Sequence, residues 1–267
     1  GQHKTFIEIK KNKILIPKYL EKKLSNNYIF NENKIFNMER FGVPQKRKRS
    51  IFLLTRKDLE LKWELKQPSQ YKYKTLRNVI GDLPSLDPLI YDIPYKKHLS
   101  IFPNYEKKLK KGKDISQWHV PPKHPYRQVM TMLNTSSGKS AFSNKNPNFR
   151  PKKIDGSFVK GFKNTYKRQS WNEPGYTITT YNRTIGSQEN VHPGRLLKKG
   201  NKTLYSDPRV LTIFEIMRVM TIPDNWKIPS WCSENFIRQV IGEGIPPLMV
   251  YLIFKKLLTL INNKKNK

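Results

Sequence analysis

Apolar and polar positions fall into three textures along the 267 residues. Near the start, Pro17 opens a stretch whose apolar Tyr19, Leu20 and Leu24 recur at helical spacing. This predicts a short helix within residues 14–27 that leaves its lysines in water. Residues 28–37 are expected as a strand pair or loop, and a Gly42-Val43-Pro44 turn follows. After it, Ile51-Phe52-Leu53-Leu54 predicts a short strand covered on both faces, since four branched or aromatic residues stand in succession. From 57 to about 205 the periodicity fades. Pro, Asn and Ser interrupt short apolar runs, which predicts a loop-rich segment without clear helices. Helical spacing returns with Leu211, Phe214, Ile216, Met217 and Met220. The stretch 246–261 is apolar on most sides, predicting a helix buried against a sheet.

One stretch does not suit a core. Gln45, Lys46, Arg47, Lys48 and Arg49 lead straight into the apolar strand. At a period of two, Gln45, Arg47 and Arg49 share one face, with Lys46 and Lys48 opposite. Planar, permanently charged guanidinium groups beside an amide suit phosphate or the edge of a base. A solvated basic strand start, or an internal ion pair for Arg47, is the plainer alternative.

Charge widens the picture. Lys and Arg number 52 against 20 acids, a net charge of +32, which points to a polyanionic partner such as nucleic acid. Of these cations 39 are Lys and only 13 Arg, and they are spread along the chain, so part of the excess reads as compositional drift. A single cysteine, Cys232, excludes an internal disulfide framework and a cysteine-rich zinc site, consistent with a reducing cytoplasm. His119, His124 and His192 have no Cys or acidic cluster in the sequence beside them, so no metal is expected. No apolar stretch reads as long enough to span a membrane, and none is expected as a partner.

Four blocks stand in order: Phe-Gly-Val-Pro-Gln-Lys-Arg-Lys-Arg at 41–49, Ile80-Gly81-Asp82-Leu83-Pro84, DPRVLTIFEIMRVMTIPDNW at 207–226, and IRQVIGEGIPPLMVYLI at 237–253. Together they resemble the late blocks of the DNA cytosine carbon-5 methyltransferases of restriction-modification systems. The resemblance implies an α/β chain. It would be the C-terminal part of a Rossmann-like S-adenosylmethionine-dependent domain (1–58 and 206–267) around a small, loop-rich mixed α/β target-recognition domain (59–205). It also implies that Arg49 donates to the carbonyl oxygen of a cytosine rotated out of the duplex, supported by Gln45 and Arg47. Tyr166, Arg168, Thr177, Thr179, Arg183, Gln188 and Arg195 are the expected DNA contacts. Gly242, Glu243 and Gly244 stand where the family holds its methyl donor, with Glu243 in place of the usual Asn.

Other family elements are missing from their places. The reaction needs a thiolate in a Pro-Cys-Gln motif, a Glu in a Glu-Asn-Val motif and a Gly-rich donor loop. Cys232 lies in Pro-Ser-Trp-Cys-Ser between two late blocks and reads as structural. Glu189-Asn190-Val191 spells the acid motif, but it follows the Arg block and has no apolar strand before it. The expected partners are therefore double-stranded DNA and an N-terminal half or subunit that carries the nucleophile. A catalytically inactive DNA-binding remnant and an unrelated basic nucleic-acid-binding protein are the alternatives.

Overall fold

Short elements joined by long irregular stretches make up the chain, in a computed structural model that describes residues 5–9, 12–188, 190–200 and 202–265. Glu189 of the acid-like motif lies outside them. The described strands form three two-stranded antiparallel sheets: β1 (Phe6–Ile9) with β2 (Asn12–Leu15), β3 (Tyr28–Asn37) with β4 (Lys48–Arg56), and β5 (Leu196–Lys199) with β6 (Lys202–Tyr205). No Rossmann-like parallel sheet occurs among the described residues, although the architecture is mixed α/β as expected.

The early helix forms as α1 (Ile16–Leu24), with Pro17 in its first turn, where a missing N–H costs nothing. Residues 28–37 are one long strand. β3 pairs with β4 from Tyr28 opposite Arg56 to Asn37 opposite Lys48. Of Ile51, Phe52, Leu53 and Leu54 only Leu53 is buried, because a two-stranded sheet has just one covered face here. That face joins Phe36, Met38, Phe41, Val43, Trp63, Leu65 and Met249 in a core cluster. Each such side chain contributes about 1.5–3 kcal/mol when fully buried.

The middle of the chain corrects the expectation of a segment without helices. It holds α2 (Leu76–Ile80), α3 (Tyr95–Ile101), α4 (Tyr105–Ile115) and α5 (Tyr126–Leu133). Phe102, Tyr105, Val129 and Leu133 pack these last three around Ile90. A second core cluster gathers Leu76, Ile80, Trp171 and Ile178 against α6 (Ile213–Val219) and Ile237 and Ile241 of α7 (Glu234–Glu243).

The last helix, α8 (Pro247–Lys265), is not enclosed as expected. Met249 is buried and Leu252, Ile253, Leu257 and Leu260 pack on the first cluster. Val250, Tyr251, Phe254 and Leu258 face outward. By length and composition, Glu234–Lys264 would also suffice to cross a membrane, contrary to the sequence reading. The stretch is two helices, broken between Glu243 and Pro247, and it carries the buried Arg238 paired with Glu234.

An ionic knot holds the block that begins at Asp207. Arg209 donates to both oxygens of Glu215 at 2.8 Å and to Asp207 Oδ1 at 3.0 Å. Asp207 also accepts from Leu86 N and Ser85 Oγ, each at 2.8 Å, which pins the segment after α2. Glu215 and Thr212 form a reciprocal cap at the start of α6. Burial alone would penalise these charges. At Glu215 the Arg209 guanidinium outweighs it, holding that carboxyl at about 2.

Burial also keeps nearby histidines neutral, with His192 lowered to about 4 and His124 to about 3 against an ordinary 6.5. A group whose folded value is depressed loses protons to folding, so stability falls as pH drops through the gap. The loss begins near 6.5, before carboxylates titrate, at on the order of 1.4 kcal/mol per pH unit for each histidine. The urea midpoint should therefore fall between pH 7 and pH 5. A flat midpoint over that range would contradict the neutral buried histidines.

Candidate nucleic-acid interface

The Gln45–Arg49 run is positioned by the turn before it. Gly42 takes a positive φ of 84°, and Val43 N then donates to Met38 O at 3.3 Å. The chain leaves extended and meets the segment 174–178. Lys46 N donates to Gly175 O at 2.7 Å, Gly175 N to Pro44 O at 2.9 Å, and Thr177 Oγ1 to Lys46 O at 2.6 Å. Lys46 also pairs with Glu173. The alternation holds from Gln45 to Lys48, with Gln45 and Arg47 fully buried and Lys46 and Lys48 exposed, but Arg49 departs from it and lines one cleft with Lys46 and Lys48.

Inside, Arg47 donates at 2.8 Å to the carbonyls of Ile178, Gly242 and Gly244, and at 3.2 Å to Gln45 Oε1. Gln45 Oε1 also accepts from Ile178 N at 3.2 Å. Burial, then the like charge of Arg49, lowers Arg47 to about 10, so it stays charged at neutral pH. Gln45 and Arg47 thus act as a frame, with no donor presented to solvent. Arg49 differs. It is partly exposed, donates to Lys48 O at 2.9 Å, and is lowered by partial burial. It lines a cleft of about 750 Å³ with Glu39, Lys48, Tyr73, Asn172 and Thr177.

A second polar cleft of about 640 Å³ lies on the far stretch of the same segment. Thr180, Tyr181, Asn182, Arg183 and Thr184 form one wall. Lys123 ahead of α5 and Arg127 and Gln128 in its first turn, with Asn235, Arg238 and Gln239 of α7, form the others. Arg183 is exposed and donates to Asn235 Oδ1 at 2.8 Å. Lys123, Arg127 and Tyr181 did not stand out in the sequence. The four-residue spacing of Lys123 and Arg127 around Pro125, at a helix start, was the available signal.

The other expected DNA contacts divide. Gln188 is exposed, and Thr177 and Thr179 are half-buried along the shared segment. Arg168 is a correction, being fully buried and donating to Met132 O, His192 O, Tyr205 O and Asp207 O. Tyr166 is a second, packed edge-on against Phe142 with 7% of its surface exposed. Arg195 spends one nitrogen on Gly81 O and Leu83 O, both at 3.0 Å, and stacks over Trp171. Residue type misled in these cases, because the donors that read bases serve backbone carbonyls equally well.

Of the positions expected at a methyl donor, Gly242 is buried. A Cβ there would fall 2.3 Å from Thr179 O, and its own carbonyl is taken by Arg47. It is a close-approach glycine and does not fit as a ligand contact. Glu243 is exposed beside Gln239, with its carboxylate within reach of solvent. Cys232 lines an apolar pocket with Met217, Ile228, Phe236 and Ile237. No group of three or more His, Cys, Asp or Glu able to hold a metal occurs among the described residues.

A family described as C-5 cytosine-specific DNA methylase matches residues 9–259. The chain is similar to the type II methyltransferase M1.HgaI of Avibacterium volantium, with 39% identity over 217 residues, 81% of this chain and 52% of that protein. It is also similar to M.MthTI of Methanothermobacter thermautotrophicus, with 27% identity over 248 residues, 88% of this chain and 59% of that one. The chain thus spans about half the length of the curated relatives it matches. Its fold is similar to that of a DNA modification methyltransferase encoded within an Escherichia coli prophage. The TM-score is 0.53 at 18% identity, covering 92% of this chain and 65% of the other.

The frame and the cleft residue should separate in stability. Arg47→Ala leaves three buried carbonyls without their donor and should cost roughly 3 kcal/mol or more. Arg49→Ala should cost less than about 1 kcal/mol. Urea midpoints of the two variants measure this, and similar losses at both would undo the distinction.

Proposed function

Since the chain belongs to the C-5 cytosine-specific DNA methylase family, we propose that it supplies the target-recognition and base-pocket portion of a cytoplasmic DNA cytosine carbon-5 methyltransferase of a restriction-modification system. The substrate is a cytosine in duplex DNA, rotated out of the stack because its ring atoms are unreachable while paired. The observation that carries this reading is the split within one short run. Gln45 and Arg47 are locked in the interior, and Arg49, two residues on, lines an open cleft.

In that cleft the Arg49 guanidinium donates to the carbonyl oxygen of the extruded cytosine. A preformed cation there stabilises the negative charge that develops as a nucleophile adds to the ring. Residues 59–205 carry the recognition surface, with Thr177, Thr179, Arg183 and Gln188 as the base and phosphate contacts. S-adenosylmethionine supplies the methyl group, and Glu243 is the residue of this chain suited to hold its amine or hydroxyls. The thiolate nucleophile belongs to a partner segment, an N-terminal half or subunit, that this chain must bind. The outward apolar side chains of α8 and the exposed Trp226, Trp231 and Phe236 offer the surface for it.

The chain alone should transfer no label from S-adenosylmethionine to mixed-sequence duplex. In complex with the segment carrying the nucleophile, Arg49→Ala should slow single-turnover methylation by roughly two to three powers of ten while duplex affinity changes little. Lys48→Ala should leave the chemical step nearly intact. Equal, modest losses in binding at both positions, with no selective loss of rate, would remove Arg49 from the base pocket. Cys232→Ser should leave the complex active, and loss of turnover with intact folding would overturn its structural reading.

A further inference from the structure

Residues 151–159 form a hairpin whose foot, at Val159, packs on a core cluster, and 160–163 continue from it. Val159 N donates to Pro151 O at 3.0 Å and Lys153 N to Ser157 O at 2.8 Å, with Lys152 paired antiparallel to Phe158. Gly156 closes the turn at a φ of 84°, and the Asp155 carboxylate accepts from Ser157 N and Oγ. Within this bonded turn Ile154 is 92% exposed and Phe158 52%, and Phe162, three residues past the last paired residue, is 81% exposed with its carbonyl accepting from Thr165. Cations flank them along the chain. The stretch 145–163 carries six Lys or Arg and one carboxylate, that of Asp155.

The foot of the hairpin is tied to a cleft already described. Arg127 donates to Lys152 O at 2.7 Å, and Arg127 lines the polar cleft that also holds Lys123 and Arg183. The apolar tip therefore extends a cationic surface.

We propose that this hairpin is a DNA contact in which Ile154 and Phe162 press against base steps while the flanking lysines hold phosphates. The proposal rests on the reading that the chain binds duplex DNA, and it adds an element that none of the expected contacts includes. Lysine is depleted from protein–protein interfaces, so exposed apolar side chains interspersed along the chain with lysines fit a polyanion better than a protein. Apolar side chains beside cations are the means by which proteins wedge between base pairs or stack on exposed bases. The rigid turn keeps the tip extended before DNA arrives, which limits the ordering cost of the contact.

Duplex binding by fluorescence anisotropy, across a salt series, tests the assignment with the full chain. The Ile154→Ser/Phe162→Ser variant should bind mixed-sequence duplex roughly tenfold more weakly with an unchanged salt slope. Lys153→Ala/Lys160→Ala should instead flatten the slope, by roughly one for each phosphate that is no longer neutralised. A duplex carrying a fluorescent adenine analogue should brighten with wild type and less with the apolar variant, as bases unstack. Circular dichroism checks that both variants fold, and Phe162→Tyr alone should retain wild-type affinity. If wild type binds no duplex, the DNA reading itself fails. If wild type binds and the serine variant matches it, the hairpin proposal fails while that reading stands. Binding to anionic vesicles that the serine variant loses, with duplex affinity unchanged, would assign the hairpin to a lipid surface and overturn the proposal.

Discussion

A chain that folds largely through irregular stretches must find donors for its buried backbone carbonyls, and here guanidinium groups supply them. Arg47, Arg168, Arg209 and Arg238 are among the largest fully buried side chains. Arg47 serves Ile178, Gly242 and Gly244. Arg168 serves Met132, His192, Tyr205 and Asp207, and Arg238 serves Asn182 and Leu211. A helix or sheet would satisfy such groups within its own ladder. Loops cannot, so one planar side chain with five N–H groups gathers several strands of loop at once. The cost is a buried charge. Asp207 and Glu215 neutralise Arg209, whereas Arg168 is surrounded mainly by carbonyl dipoles and is lowered by burial to about 9, still charged at neutral pH.

That use of arginine divides the cations by role. The lysines supply most of the +32 charge and spread it along the chain. The scarce arginines fix geometry. Arg47 and Arg49 stand two residues apart and show both ends of this division. The first is locked between Ile178 and the end of α7, and the second lines the cleft wall. A lysine at position 47 could not reach three carbonyls from one planar group, so the frame depends on that residue type.

The alternation at 45–48 was legible in the sequence because a period of two holds for any extended run, whether or not it pairs in a sheet; it did not place Arg49, which shares a cleft with Lys46 and Lys48. The helix after Asp207 was legible because its apolar positions, Leu211, Phe214, Ile216, Met217 and Met220, recur at helical spacing; its Thr212–Glu215 cap was not read from the sequence. Helices α3 to α5 were not. α4 reads Tyr-Glu-Lys-Lys-Leu-Lys-Lys-Gly-Lys-Asp-Ile, and its buried Gly112, where a Cβ would lie 2.6 Å from His119 O, looks in sequence like a break. For α8 the pattern reported how apolar the helix is, but not which face this chain would cover. For Arg168 and Tyr166, local sequence holds no information on depth. Depth is set by contacts with residues such as Asp207 and Phe142, far along the chain.

The segment 174–184 connects these features into one mechanical unit. Thr177 borders the cleft of Arg49, and Thr180 to Thr184 border the other cleft. Between them Ile178 is held by Gln45 and Arg47, and Thr179 lies so close to Gly242 that no Cβ fits there. Asn182 is held in turn by Arg238 of α7. A displacement of this segment by DNA at the second cleft would therefore pull on the carbonyls that Arg47 grips, and through them on the strand start that carries Arg49. In the proposed enzyme, recognition of a site and the shape of the base pocket would be linked through this shared wall, without any hinge between them. The glycine at 242 is part of the same constraint: it allows α7 to press against the recognition segment, and any larger residue would separate the two walls that the buried arginines hold together.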